Sequence, residues 1–310
     1  MLNRAVDAGL SVVRIWAHSI VPGRELQPEP GVYDEEVFAA LDYLLDQAHQ
    51  RGLRLILIFA DNWYEVGGVQ QFANWSSDGD FFGAEARQLY KDHMRALANR
   101  VNTINSKVYK EDPTIFAWNL ANELRCKGCG DAVIQDWLEE MCTFLKAEDP
   151  NHLIGTGTEG FYGETSGELK KNNPADWASK EGQNLVENAN IWCIDYVGIH
   201  VWPDNWALET KEFQQDFIRA AIKNAETTGK PMVLEEFGKV REGGKRDEYF
   251  ESAFEVVEES IKANGPLKGW LFYHWYDDQI GPGSYGVHYN EPTFDIVKAN
   301  AASINALSDC

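Results

Sequence analysis

The chain has 310 residues, 44% of them hydrophobic, and a formal net charge of −21 at pH 7. Such an acidic surface repels phosphate groups and anionic membranes, so we expect no nucleic-acid or membrane partner. No apolar run reaches the about 18 residues of a membrane-spanning helix. Because no linker or repeat divides the sequence, we expect one domain over residues 1–310, and we expect it to be monomeric.

Short runs rich in β-branched residues alternate with longer helical patterns along the whole chain. This alternation is typical of βα units with a parallel sheet and predicts the α/β class. Seven segments are predicted as strands: Leu10 to Trp16, Leu53 to Phe59, Ile115 to Leu120, Leu153 to Thr158, Tyr196 to Val201, Pro231 to Leu234 and Gly269 to Tyr273.

Apolar residues at helical spacing predict helices between these strands. Three such faces are Val37, Leu41, Leu44, Leu45 and Ala48; Ile134, Trp137, Leu138, Met141 and Leu145; and Phe250, Phe254, Val257 and Ile261. A (β/α)8 TIM barrel has eight strands, whereas Met1 to Val6 already has the pattern of an amphipathic helix rather than of a signal peptide. We therefore expect a TIM barrel whose first strand is absent from this chain.

The five cysteines, Cys126, Cys129, Cys142, Cys193 and Cys310, are too few and too scattered for a disulfide framework. Cys126 and Cys129 could form half of a zinc or redox site, but no second pair or histidine cluster accompanies them. A small disulfide or two free thiols is the favoured interpretation. No His and Glu residues have metal-ligand spacing, so we expect no metal and no cofactor.

Polar and aromatic residues stand at or just after the predicted strand ends, which in a parallel barrel meet at one mouth. They are Arg14, Trp16, Asn62, Trp63, Asn122, Glu123, Glu159, His200, Trp202, Glu235, Glu236, Tyr273 and Trp275. Glycoside cleavage requires two carboxyl groups across the scissile bond, and Glu123 and Glu236 end well-separated strands. If these two groups lie about 5 to 5.5 Å apart, the second can attack carbon directly with retention of configuration.

Three residues have expected roles around this carboxyl pair. Asn122 supplies an amide that can bond a sugar 2-OH as charge develops. His200 is expected to orient or bond Glu236, the alternative being a structural histidine. Arg14 is expected to lower the pKa of Glu236 while desolvation keeps Glu123 protonated, so that opposed shifts would assign the two roles.

The segment Thr114-Ile115-Phe116-Ala117-Trp118-Asn119-Leu120-Ala121-Asn122-Glu123 resembles glycoside hydrolase family 5, specifically its eukaryotic-type β-mannanase branch. Further motifs of that branch follow in order along the chain: Val13-Arg14-Ile15-Trp16-Ala17, Asp61-Asn62-Trp63 with Gly67-Gly68, Arg100-Val101-Asn102-Thr103-Ile104-Asn105, Thr158-Glu159-Gly160-Phe161-Tyr162, His200-Val201-Trp202-Pro203-Asp204-Asn205-Trp206 and Leu234-Glu235-Glu236-Phe237-Gly238. The resemblance implies a retaining endo-β-1,4-mannanase that hydrolyses mannan, glucomannan or galactomannan without a cofactor.

The resemblance also implies residue roles. Glu123 would be the acid/base and Glu236 the nucleophile, because the family's nucleophile directly precedes an aromatic-glycine pair; Glu235 would then be structural. Arg14, Asn122 and His200 would surround the cleaved sugar, and Trp63, Glu159 and Trp206 would line the flanking subsites. A polymer too large to import implies an extracellular enzyme made from a longer precursor.

The chain departs from the family pattern at Leu124, Trp202 and Tyr273, where the family usually has Pro, Tyr and Trp. We hypothesise that the Trp202 indole N–H replaces the usual hydroxyl as donor to the nucleophile, while Tyr273 replaces the usual Trp under the cleaved sugar. The alternative is a shifted register in which Trp270 or Trp275 takes that place.

Two other functions stay open at this point. An endo-β-1,4-glucanase of the same family would share both Glu residues and differ in how the pocket recognises the 2-OH of the cleaved sugar. A non-catalytic mannan-binding protein would keep the aromatic cleft without turnover, although the presence of both Glu residues argues against it.

Overall fold

The computed structural model describes residues 1–208, 210–276 and 285–308. Its strands are β1 (Val12–Trp16), β2 (Arg54–Ile58), β3 (Ile115–Asn119), β4 (Leu153–Gly155), β5 (Val197–Val201), β6 (Met232–Phe237) and β7 (Leu267–Trp270). Its α-helices are α1 (Leu2–Asp7), α2 (Glu35–Gln50), α3 (Val69–Trp75), α4 (Ala84–Ala98), α5 (Asp131–Glu148), α6 (Leu185–Asn190), α7 (Lys211–Thr228), α8 (Arg246–Lys262) and α9 (Pro292–Ser308). Each predicted strand overlaps an observed one.

The strands pair in parallel throughout, as the alternation of strands and helices predicts. Strands β1 to β4 form one sheet in chain order, and β5 to β7 form a second. The two sheets adjoin, because the Asp195 N–H donates to the Ile154 carbonyl at 2.9 Å and the His200 N–H donates to the Glu159 carbonyl at 3.2 Å. The carboxyl ends of β1 to β6 therefore face one side of the molecule.

Strands β1 and β7 are the outermost members of the two sheets. Every residue of β1 is partly exposed, whereas every residue of β5 is buried. Parallel strands buried on both faces are typical of barrels and doubly wound sheets. The additional strand expected from the sequence remains a prediction.

The helices form an outer layer over the strands. Helix α2 begins at Asp34, whose carboxylate accepts from the N–H groups of Glu36 at 2.8 Å and Val37 at 3.2 Å. The predicted apolar face of this helix is buried against the first sheet. One hydrophobic cluster joins β1 to β4 with α2, α4 and α5, and another joins β5 to β7 with α7, α8 and α9. Among the described helices, none is both long enough and apolar enough to cross a bilayer.

Two disulfides connect parts of the chain. Cys126 and Cys129 are bonded, as one interpretation of the sequence expects, with their Cα atoms 5.6 Å apart. Cys142 on α5 is bonded to Cys193 before β5, a link across 51 residues that the spacing of the cysteines did not reveal. Cys310 lies outside the described residues.

Candidate active site

Glu123 and Glu236 meet at the carboxyl ends of the strands. Glu236 lies near the end of β6 and Glu123 shortly after β3, and both side chains are buried. One oxygen of each carboxyl group and one ring nitrogen of His200 all lie within 4.8 Å of one another. This spacing agrees with the about 5 to 5.5 Å between the carboxyl groups of retaining glycosidases and is shorter than the about 6.5 Å or more of inverting ones.

Glu236 forms an ion pair with Arg14 of β1. Burial raises the pKa of Glu236, although the charges of His200 and Arg14 oppose that shift. The net shift is upward, so the expectation that Arg14 would bring the pKa of Glu236 below its ordinary value is wrong. Desolvation of a buried carboxylate can outweigh a single ion pair.

Glu123 is surrounded by nitrogen donors. One oxygen accepts from the indole N–H of Trp63 at 2.5 Å, and the other lies 2.7 Å from Nδ1 of His200. Burial raises the pKa of Glu123, while Trp63 and nearby arginine charges lower it. The expected opposed shifts are therefore not found, and the charge of Glu123 adds to the upward shift of the Glu236 pKa.

The backbone of Glu123 adopts an unusual conformation. Its φ angle is 50°, in the left-handed region that side chains other than glycine rarely occupy. Its N–H donates to the carbonyl of Gly157 at 2.7 Å, which holds the residue in this conformation. Backbone strain of this kind concentrates at functional sites because it directs a side chain where a regular strand would not.

His200 contacts the carboxyl pair differently from the expectation. Its Nδ1 is 2.7 Å from Glu123 but 3.7 Å from Glu236, so it hydrogen-bonds the first group and not the expected nucleophile. Burial lowers the pKa of His200, against the opposing charge of Glu236. A neutral imidazole has one N–H, which Nδ1 can donate to Glu123 when that group is ionised.

Asn122 and Trp16, both predicted to bind substrate, are held by protein groups. Arg14 donates from Nη2 to Oδ1 of Asn122 at 2.8 Å and from Nε to Oδ1 of Asn119 at 2.6 Å. The Asn122 amide nitrogen donates to Asp61 at 3.1 Å, and the Trp16 indole donates to the same oxygen at 2.6 Å. Both polar atoms of the Asn122 side chain thus have partners, which fixes its orientation.

Asp61 is a third carboxyl group of the site. It is buried, and burial raises its pKa to about 7 against the hydrogen bonds from the backbone of Trp63 and the side chain of Trp16. Neither Asp61 nor Asn119 was predicted as a site residue. Both stand at or just beyond strand ends, which is the feature that identified the other candidates.

Trp63 connects the buried pair with solvent, since its side chain is 43% exposed. The guanidinium group of Arg125 lies 5.0 Å from the centre of its ring, and the N–H of Arg125 donates to Oδ1 of Asn62 at 3.3 Å. An exposed ring with a polar edge on Glu123 suits stacking on a sugar beside the acid.

Glu159 is completely buried. One of its oxygens pairs with Arg125 at 2.5 Å and the other accepts from Gln183. Both oxygens are therefore occupied by protein donors, and the expectation that Glu159 lines a flanking subsite remains a prediction.

Trp206 and Trp275 also pack against core side chains, and their expected place in the cleft remains a prediction. Trp206 packs against Phe161 and against Phe217 of α7, with ring centres 5.4 and 5.3 Å away. Trp275 packs against Phe294 of α9 at 5.7 Å and is 9% exposed. Their contacts are those of packing residues.

Trp202 and Tyr273 are neighbours, with ring centres 5.6 Å apart and nearly perpendicular planes. Tyr273 also meets the edge of Trp16 at 6.3 Å, and burial together with the charges of the carboxyl pair raises its pKa. The shifted register is not supported for Trp270, which is partly exposed and packs against Phe254 of α8 with ring centres 4.5 Å apart. Trp202 acts to lower the pKa of Glu123, and the expectation that its N–H donates to Glu236 remains a prediction.

Glu123, His200 and Glu236 are close enough to share a metal ion. Arg14 already places a positive charge on Glu236, and N–H donors occupy the oxygens of Glu123. A divalent cation would have to displace these donors, so the arrangement suits a hydrogen-bonded carboxyl pair better than a metal centre. The absence of a metal or cofactor remains a prediction.

The comparisons with known proteins agree with one another. A family model described as glycoside hydrolase family 5, β-mannosidase-like, matches residues 2–289. The chain is 36% identical to mannan endo-1,4-beta-mannosidase 7 of Arabidopsis thaliana over 323 residues, which cover 97% of this chain and 72% of that protein. It is 35% identical to mannan endo-1,4-beta-mannosidase 4 of Solanum lycopersicum, covering 85% of this chain and 70% of that protein.

Two solved structures are similar to this chain along nearly its whole length. The endo-beta-1,4-mannanase of Thermotoga petrophila superposes with a TM-score of 0.86 at 27% identity, covering 98% of this chain and 72% of that one. A structure of the same organism's enzyme with maltose and glycerol gives a TM-score of 0.85 and covers 94% of that chain. This likeness confirms the predicted fold class, an α/β chain of the TIM-barrel type.

Proposed function

Since this chain belongs to the β-mannosidase-like group of glycoside hydrolase family 5, we propose that it is an endo-β-1,4-mannanase that cleaves mannan, glucomannan or galactomannan with retention of configuration. One observation carries the mechanistic part of the proposal: oxygens of Glu123 and Glu236 lie within 4.8 Å of each other in a buried, donor-rich site. That separation leaves no room for a water molecule to attack between a sugar and a second carboxylate.

The proposed reaction has two displacements. A Glu236 oxygen attacks the anomeric carbon, and the bond to the glycosidic oxygen breaks as Glu123 gives that oxygen its proton. The product is a glycosyl ester of Glu236 and a shortened chain with a new hydroxyl group. Glu123, now ionised, takes a proton from water, whose oxygen attacks the same carbon and releases Glu236.

The contacts of the two carboxyl groups support this division of roles. Arg14 pairs directly with Glu236, which favours its ionised form. Glu123 lacks such a direct ion pair and is desolvated, and this favours the protonated form that an acid needs. When Glu123 ionises, Trp63 and His200 are positioned to donate to it.

The substrate class is proposed from the relatives and from the surface. The curated relatives named above are mannan endo-1,4-beta-mannosidases. The net charge of −21 suits a neutral polymer, and Trp63 offers an exposed ring at the acid. We also propose an extracellular location, which two disulfides support because such bonds persist in oxidising environments. A monomer without nucleic-acid or membrane partners remains a prediction.

The proposal is tested by reducing-sugar release from mannan, glucomannan and carboxymethylcellulose. We expect activity on the first two, abolished by Glu236→Ala in a protein that melts normally. Azide should restore cleavage of an activated mannoside by Glu236→Ala with inverted product. Glu123→Ala should spare substrates whose leaving groups need no proton. The matched control is Glu140→Ala, which removes a partly exposed glutamate of α5 that pairs with Arg87 and Lys91 of α4.

The outcomes separate the alternatives. Hydrolysis of carboxymethylcellulose but not of mannan would identify an endoglucanase. Binding of mannan without any hydrolysis would identify a non-catalytic binding protein. Full activity of Glu236→Ala together with loss of activity in Glu235→Ala would show that the nucleophile has been assigned to the wrong glutamate.

A further inference from the structure

Glu235 lies beneath the carboxyl pair, although the resemblance to the family implied only a structural role for it. It is 1% exposed and directly precedes Glu236 in β6. The register between β5 and β6 changes from Ile199 opposite Leu234 to His200 opposite Glu236, so Glu235 is the extra residue of a bulge. A bulge interrupts the regular alternation of side chains and can direct consecutive residues toward one side.

The side chain of Glu235 occupies a space made for it. Its Oε1 accepts from the hydroxyl of Tyr196 at 2.7 Å and from Nδ2 of Asn119 at 3.0 Å. A methyl group on Gly198 would overlap the Glu235 carboxylate, and one on Gly155 would overlap the Tyr196 hydroxyl. Two glycines on neighbouring strands thus leave room for this polar cluster.

The cluster reaches the reacting groups through two contacts. The Asn119 amide nitrogen faces Glu235 and Tyr196, so its oxygen must face Arg14, whose Nε donates to it at 2.6 Å. On the other side, Oε2 of Glu235 lies 3.9 Å from Nε2 of His200. Within the described part of the chain, neither of these two buried atoms has a hydrogen-bond partner.

We propose that Glu235 is a positioning residue for glycoside cleavage, an inference that rests on the proposed function. Its carboxylate fixes Asn119, and through it the Arg14 guanidinium group that contacts the nucleophile. Its negative charge also acts on His200, which lies between the two reacting carboxyl groups. Glu235 does not touch the substrate in this account.

The charge of Glu235 shifts the pKa values of its neighbours in a predictable direction. The titratable groups facing it are Tyr196 and His200 from the β5 side, Arg14 from β1 through Asn119, and Glu236 from its own strand. A negative charge raises the pKa of its neighbours because it stabilises their protonated forms. Burial lowers the pKa of His200, and the charge of Glu235 partly opposes that shift.

Glu235→Gln tests this role, since it removes the charge and keeps an oxygen that can accept from Tyr196 and Asn119. We expect kcat on mannan to fall roughly ten- to a hundredfold with little change in KM, because a neutral amide oxygen holds Asn119, and through it Arg14, less firmly than a carboxylate does. We expect both limbs of the pH profile of kcat/KM to move toward acid by about one unit, the order expected for a unit charge several ångströms away. The pH at which His200 titrates, followed by NMR, should fall as well.

Two further variants separate charge from general packing. Glu235→Asp keeps the charge but shortens its reach, so the pH profile should stay near that of the wild type while kcat falls. Asp42→Asn removes a buried carboxylate that bonds Arg100 and Tyr109 away from the site, so it should lower the melting temperature without moving the profile.

The proposal is overturned if Glu235→Gln keeps the wild-type kcat, pH profile and His200 titration. It is also overturned if the only effect of Glu235→Gln, like that of Asp42→Asn, is a loss of stability. The His200 titration does not depend on turnover, so it tests Glu235 even if the wild-type protein fails to hydrolyse mannan, the outcome that would instead refute the proposed function.

Discussion

Trp63 donates its indole N–H to a carboxylate oxygen of Glu123 across 2.5 Å. The ring is 43% exposed whereas the carboxyl group is 6% exposed, so one side chain links the open cleft with the buried acid. A donor to the ionised form of a carboxyl group lowers its pKa. Under the proposed function, this single hydrogen bond would couple stacking of a sugar on Trp63 to proton donation by Glu123.

Trp63→Phe keeps an aromatic ring and removes this donor. We expect the pKa of Glu123 to rise, which moves the alkaline limb of the pH profile of kcat/KM to higher pH, because the acid must be protonated to act. The comparison is with Trp192→Phe, which changes a 66% exposed ring that precedes β5 and so lies at the opposite end of the strands. An alkaline limb that stays in place in Trp63→Phe would contradict the coupling.

Trp202 and Tyr273 contact each other edge to face, so their identities should be coupled in function. Trp202→Tyr and Tyr273→Trp should each lower kcat/KM, the first by leaving a gap and the second by overpacking. The double variant should recover much of the loss, with a coupling energy of about 0.5–3 kcal/mol. A complete double-mutant cycle measures it, and additive losses would end the compensation hypothesis.

His18 and His93 are buried with ring centres 5.3 Å apart. Burial lowers the pKa of His18 to about 4, and burial together with His18 lowers that of His93. The unfolded chain takes up these protons at higher pH than the folded chain does, so stability should fall as pH drops from 6.5 toward 4. For His18 alone the loss is about 3 kcal/mol.

Urea unfolding between pH 7 and 4.5 checks this pH dependence. His18→Gln should weaken the dependence, since glutamine takes up no proton and can still donate to Gln71. His49→Gln, a change at an exposed histidine, should leave it as in the wild type. Equal pH dependence in all three proteins would refute the role of the buried histidine.

The two disulfides should contribute unequally to stability. Opening the link between Cys142 and Cys193 frees a loop of 51 residues, for which chain entropy gives about 4 kcal/mol or less. The link between Cys126 and Cys129 closes only a short loop and should contribute much less. Chemical denaturation of the two double Cys→Ser variants measures both, and an equal loss would contradict the loop-length argument.

Local patterns in the sequence predicted the elements of this fold well. Strand β2 follows from a continuous run of apolar residues, most of which are buried. Helix α2 follows from apolar residues at helical spacing, which form its buried face. Strand β6 was predicted to end at Leu234 but continues through both glutamates, because Asn119 of β3 donates to Glu235 and Arg14 of β1 pairs with Glu236. Periodicity alone does not reveal such partners.

The contacts within the site could be predicted only in part. The meeting of Glu123 and Glu236 follows from their places at strand ends, but the preference of His200 for Glu123 depends on a register shift that leaves no mark in the sequence. The burial of Glu159 likewise depends on Arg125 and Gln183, which reach it from other segments. The upward pKa shifts depend on desolvation by the whole assembled fold.

The most direct test of the account is to identify the residue that forms the covalent intermediate. The wild-type enzyme would be treated with a 2-deoxy-2-fluoro-β-mannosyl fluoride, which slows the second displacement, and its peptides would be examined by mass spectrometry. We expect one glycosyl adduct, on Glu236, that disappears in Glu236→Ala. An adduct on Glu235, or turnover of the reagent to an inverted product with no adduct, would contradict it.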